Sequence, residues 1–119
     1  MTDLVACLST GKGTWGSLMK VVESPSWGNV FLVAPLFFAQ KFENLRKNVT
    51  VIPIDDNKDL PELIADLQKA FDGKLFGDVA VNFTSGSGKE HMAILSALLK
   101  SGCGIRLVAH SEKEGLKEL

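Results

Sequence analysis

Val79-Ala80-Val81-Asn82-Phe83-Thr84-Ser85-Gly86-Ser87-Gly88-Lys89-Glu90-His91-Met92-Ala93 is the stretch whose reading decides the fold. A strand-like run passes through a loop of hydroxyls, glycines and a lysine. A helix-like segment follows, carrying Met92, Leu95, Leu98 and Leu99 and stopped by Gly102. The same chemistry recurs near the N-terminus. There Leu4-Val5-Ala6-Cys7-Leu8 runs into Ser9-Thr10-Gly11-Lys12-Gly13-Thr14-Trp15, again ahead of a helix-like segment. Glycine lets a backbone approach a ligand closely, hydroxyls and exposed N–H groups donate hydrogen bonds, and lysine supplies positive charge. Two such loops in equivalent positions point to one composite site for a phosphorylated ligand.

Working outward, apolar, β-branched runs recur at residues 3–8, 29–34, 49–54, 78–83 and 104–109. They are near-continuously hydrophobic, the pattern of parallel strands buried on both faces. Between them, Leu60, Leu63, Ile64, Leu67 and Phe71 recur at helical spacing, with Asp59 as N-cap and Pro61 in the first turn. Residues 15–23 and 36–46 read as two further helices. The alternation predicts an α/β, Rossmann-like, three-layer α/β/α domain over residues 1–119, with a mainly parallel sheet of five or six strands in order 3-2-1-4-5. In that order strands 1 and 4 are neighbours where the winding reverses. Ligands bind outside the carboxyl ends of strands at such a crevice, so both loops are expected there. The polar tail, residues 110–119, reads as a short helix, a frayed end or the start of a further domain.

Composition narrows the function. The chain has 119 residues, 45% of them hydrophobic, enough for a core. A formal net charge of -1 argues against a broad surface for duplex nucleic acid. Asp3 comes early, the apolar run behind it is short, and no segment reaches the roughly 18 apolar residues of a membrane span. The expectation is a cytoplasmic protein with no signal peptide and no membrane contact. Cys7 and Cys103 lie in or beside apolar runs and read as reduced, buried thiols. No cofactor and no metal is expected.

Known phosphate motifs fit poorly. The second loop places Glu90 where a Walker-type loop needs a magnesium-binding hydroxyl, and its glycine spacing is wrong. Gly11-Lys12-Gly13-Thr14-Trp15-Gly16 matches the dinucleotide fingerprint in letters, but Ala34-Pro35 stand where its acidic residue belongs. Asn82 is read as fixing the turn after strand 4, and Trp15 as packed in the core with stacking on a base as the alternative. Trp27 is read as structural or interfacial, and His91 as a cap or packing residue with a proton-carrying alternative. His110 is read as a surface residue, and Asp55-Asp56 as a solvated turn away from the crevice.

The second loop, with Asn82, Thr84, Lys89 and Met92 in order, resembles the strand-4 motif of CARF domains, the CRISPR-associated Rossmann folds. One extra residue separates them, since Ser85-Gly86-Ser87-Gly88 replaces the family's Gly-Gly-Thr. The first loop is similar to the less uniform ligand loop after strand 1 of that family.

The resemblance implies a homodimer binding a cyclic oligoadenylate second messenger of type III CRISPR antiviral defence across its two-fold axis. The ligand-binding set would be Ser9, Thr10, Gly11, Lys12, Gly13 and Thr14 from the first loop. The second would add Asn82, Thr84, Ser85, Gly86, Ser87, Gly88, Lys89 and His91. Members of this family are usually fused to an effector, and this chain is expected to stand alone. Some members are metal-independent ring nucleases. In that case Lys89 would stabilise the crowded phosphorus and Ser9 would orient ribose or phosphate as catalytic residues. A third reading is an interaction protein with no nucleotide ligand, because fold alone does not fix function.

Overall fold

The computed structural model describes residues 1–8, 13, 15–39 and 47–119. The elements run β1 (Thr2–Cys7), α1 (Trp15–Val22), β2 (Trp27–Pro35), α2 (Leu36–Ala39), β3 (Val49–Ile54), α3 (Leu60–Phe71), β4 (Asp78–Asn82), α4 (Gly88–Lys100), β5 (Gly104–Ser111) and β6 (Gly115–Glu118). Among the described residues the sheet has six strands in the order β3-β2-β1-β4-β5-β6. The first five pair parallel and β6 pairs antiparallel with β5. The chain is thus α/β with a mostly parallel sheet, in the strand order its hydrophobic runs predict.

The near-continuous apolar runs have the expected cause. Alternate residues of one strand point to opposite faces, and in β1 both faces are buried. Leu4 and Ala6, with Leu8 just beyond, join a cluster with Leu18 and Val21 of α1 and with Phe38. Val5 and Cys7 join a second cluster with Leu63 and Leu67 of α3 and Ile94 and Leu98 of α4. Trp27 is buried, and its indole Nε1 donates to the Val21 carbonyl at 2.7 Å, so its role is structural. Cys7 and Cys103 are free and buried, as read.

Helix ends follow their local chemistry. Asp59 Oδ1 accepts from the Glu62 N–H at 3.1 Å, capping α3 with Pro61 in its first turn. At the far end of α4, Gly102 takes φ +81°, a left-handed conformation suited to glycine. Of the expected helix 36–46, α2 accounts for Leu36–Ala39, and residues 40–46 lie outside the described residues.

The tail departs from the sequence reading. It is the second arm of a hairpin: His110 pairs with Leu116 and Ser111 with Gly115. His110 therefore lies within β5 rather than after it. Both sheet edges are blunted, by exposed Pro53 on β3 and by Lys117 and Glu118 on β6. Among the described residues no helix is long and apolar enough to cross a membrane.

The packing of α4 also differs. Its buried residues are Glu90, Ala93, Ile94, Ala97 and Leu98. Met92, Leu95 and Leu99 are exposed by 57, 36 and 57%. The helix therefore carries two apolar faces, and the sheet and α3 cover only one.

Candidate functional site

β1 and β4 lie side by side, with Ala6 opposite Asn82. Both loops thus leave the same carboxyl edge of the sheet, where strand order reverses. On the β1 side, the Leu8 N–H still donates to the Val33 carbonyl at 2.8 Å. Ser9, Thr10, Gly11, Lys12 and Thr14 lie outside the described residues. Gly13 is exposed, with open space where a Cβ would stand. Trp15 meets Phe38 edge-on at 5.8 Å and packs against the α1 cluster, as its packing reading requires.

The strand-4 loop is fixed from within. Asn82 is fully buried, and its Nδ2 donates to Thr84 Oγ1 and to the Val108 carbonyl, both at 2.9 Å. Its Oδ1 accepts from the Thr84 N–H at 3.2 Å. The side chain is thereby committed to holding the turn and tying β4 to β5. Thr84 remains exposed at the rim, whereas Ser85 is buried.

Gly86 makes the closest approach in the loop. Its φ is +111°, and an added Cβ would stand 2.7 Å from Cys7 Sγ and 2.8 Å from His91 Nε2. Glycine is required there by both the backbone angle and the space. His91 closes the turn from above. Its Nε2 lies 2.8 Å from the Ser85 carbonyl, and its ring stacks on Phe83 with centroids 4.5 Å apart. A carbonyl only accepts, so Nε2 carries the proton and any lone pair the ring offers is on Nδ1.

The start of α4 is a capping box. Ser87 Oγ accepts from the Glu90 N–H at 3.2 Å, while Glu90 Oε1 accepts from the Ser87 N–H at 2.8 Å. Two of the donors that would meet a phosphate are therefore already paired within the chain. Gly88 and Lys89, both exposed, form the first two positions of the helix and present its positive end. The Lys89 ammonium donates to the Asp56 carbonyl at 3.0 Å. The Asp55-Asp56 turn therefore borders the candidate site, contrary to the expectation that it lies away from it. Asp55 Oδ1 accepts from the Asn57 N–H at 3.0 Å, which is turn chemistry.

Glu90 was not read as part of the site, and Ser87-x-x-Glu90 was the signal for its role. The residue is 4% exposed, and its Oε2 has no hydrogen-bond partner among the described residues. Burial first, and the Glu90 charge second, push the Cys7 thiol well above its ordinary range. Cys7 is thus a protonated packing group beneath Gly86, and not a nucleophile.

The strand-4 loop therefore presents an exposed cation, an exposed hydroxyl and a helix N-terminus at the edge where β1 also ends. Compared with models of known protein families, the chain matches none, and no curated protein matches it.

Proposed function

We propose that this chain binds a cyclic oligoadenylate across the two-fold axis of a homodimer, as a signalling component of type III CRISPR defence. The observation that carries the reading is the pairing of β1 with β4 at the order reversal, which starts both glycine- and lysine-bearing loops from one crevice. The Rossmann-like, three-layer arrangement belongs to the same proposal. Its support is the division of the core into one cluster with α1 and another with α3 and α4.

The chemistry suits repeated phosphates. Thr84, Gly88 and Lys89 are exposed at the rim, and the first turn of α4 favours negative charge. A ring with two-fold symmetry needs two copies of each loop, and the outer surface of α4 offers a face for a second copy. Met92, Leu95 and Leu99 on α4 are exposed apolar side chains. Burial of such a face is the usual driving force for a symmetric dimer. Lys89 adjoins this face, so dimerisation would bring two ammonium groups toward one ligand.

Calorimetric titration with cyclic tetra-adenylate and cyclic hexa-adenylate tests the reading. Saturable heat with at least one ring is expected. No heat and no thermal shift with either would refute it.

A further inference from the structure

β5 leaves the shelter of the helices part-way along its length. Ile105 packs against the core cluster that includes α3 and α4. Leu107 and Ala109 follow at the strand period of two, which sets them on the same face, yet Leu107 is 42% exposed. Val108, on the other face, is buried in the α1 cluster. The Leu119 N–H donates to the Leu107 carbonyl at 2.8 Å, which brings the end of the chain beside this stretch, with its side chain 76% exposed. Leu107, Ala109 and Leu119 line a cleft of about 250 Å³ together with Phe83 and Thr84, where β4 gives way to its loop.

The chemistry of the cleft is specific. Apart from Asn82 and Thr84, its side-chain lining is apolar. Asn82 is committed to Thr84 and to the Val108 carbonyl. Thr84 Oγ1 accepts from Asn82 Nδ2 at 2.9 Å, so the hydroxyl is held in place and its own proton is left to donate. The volume falls below the roughly 300–1,000 Å³ of clefts that hold a drug-sized ligand, and it suits a single flat ring system. Phe83 stacks with His91, which sits in the first turns of α4 with the exposed Gly88 and Lys89. The cleft thus lies beside the positive end of that helix. A group that is flat and apolar, accepts one hydrogen bond and carries a negative charge next to it is the base of a nucleotide.

We propose that this cleft is the subsite for one adenine of the ring, with the Thr84 hydroxyl donating to an unprotonated ring nitrogen. The inference rests on the oligoadenylate reading and adds to it the place of a base. It draws on the strand-4 loop and the β5–β6 hairpin alone.

The test titrates wild type, Ala109→Leu, Thr84→Val and Thr84→Ser with cyclic tetra-adenylate and with cyclic hexa-adenylate. Ala109→Leu fills the cleft and disturbs no side-chain hydrogen bond. It is expected to bind about 5- to 150-fold more weakly with an unchanged melting temperature. Thr84→Val removes the donor and should weaken binding by about tenfold, whereas Thr84→Ser keeps it and should bind like wild type. In the saturated wild-type complex, the Leu107 and Leu119 methyl resonances should move upfield under the ring current of the base. Unchanged affinity in Ala109→Leu or in Thr84→Val, or methyl resonances that do not move, overturns the subsite and leaves the oligoadenylate reading standing. Sedimentation of the ring-free variants separates a protein contact: weakened binding in Ala109→Leu together with a change of oligomeric state assigns the cleft to that contact and overturns the subsite. Absence of binding by wild type to both rings overturns the subsite together with the reading beneath it.

Discussion

The Nε2 atom of His91 lies 2.8 Å from the carbonyl oxygen of Ser85, closing the strand-4 loop back onto the first turn of α4. The same ring stacks on Phe83, the residue at which the loop leaves β4. One side chain therefore fixes both ends of the segment that carries Thr84, Ser85 and Gly86. His91→Ala removes the hydrogen bond and the stack together, and a loss of about 1–3 kcal/mol is expected in urea unfolding. Long-range nitrogen–proton NMR should show the Nε2–H tautomer in the native protein.

Gly86 is the second test of this packing. Gly86→Ala places a methyl against Cys7 Sγ and His91 Nε2 at an angle of +111°. The left-handed backbone and the overpacking together predict a loss of about 2–4 kcal/mol. Cys7→Ala should restore part of that loss in the double variant, because it empties one of the two colliding positions. Simple additivity in the double-mutant cycle would contradict the shared contact.

Cys7 also sets an alkaline limit to stability. Its ordinary value is 9.0, and burial with the Glu90 charge raises it in the folded chain. Below pH 9 both states hold the proton, so the thiol does not make stability depend on pH. Above pH 9 the unfolded chain releases the proton and the folded chain keeps it, so stability falls as pH rises. The contribution from this residue approaches about 1.4 kcal/mol per pH unit. Urea midpoints between pH 8 and pH 10 should drop more steeply for wild type than for Cys7→Ala.

Asn82 and Lys89 should separate structure from binding. Asn82→Ala leaves the Val108 carbonyl and the Thr84 N–H without their partner, and a cost of about 2–4 kcal/mol is expected by calorimetric melting. Lys89 is exposed and, among the described residues, donates to the Asp56 carbonyl, so Lys89→Ala should change stability by less than about 0.5 kcal/mol. Its loss of a charge-assisted contact should weaken ring binding by about tenfold or more. A Lys89→Ala variant with full affinity would remove this residue from the site.

The strand order was legible because β1, β2 and β4 are buried on both faces, and burial on both faces writes itself as an unbroken apolar run. The hairpin of β5 and β6 was not. An edge strand needs only one apolar side, and Gly115-Leu116-Lys117-Glu118 reads as polar tail. Apolar spacing made α4 legible as a helix but not the exposure of Met92, Leu95 and Leu99, because such spacing does not distinguish a core face from a face left for another molecule. In the site, Asn82 was legible as a turn-fixing residue from its place before Thr84. The reach of Lys89 to Asp56 was not, since 33 residues separate them and only the packing of α3 beside α4 brings them together.

The central claim is one ring shared by two copies of this chain, and native mass spectrometry of the protein mixed with cyclic tetra-adenylate or cyclic hexa-adenylate measures it directly. The account predicts a complex of two chains and one ring, and the loss of that complex in Leu95→Glu, which puts a charge on the exposed face of α4. One ring on each single chain, or a dimer that takes up no ring, would contradict it.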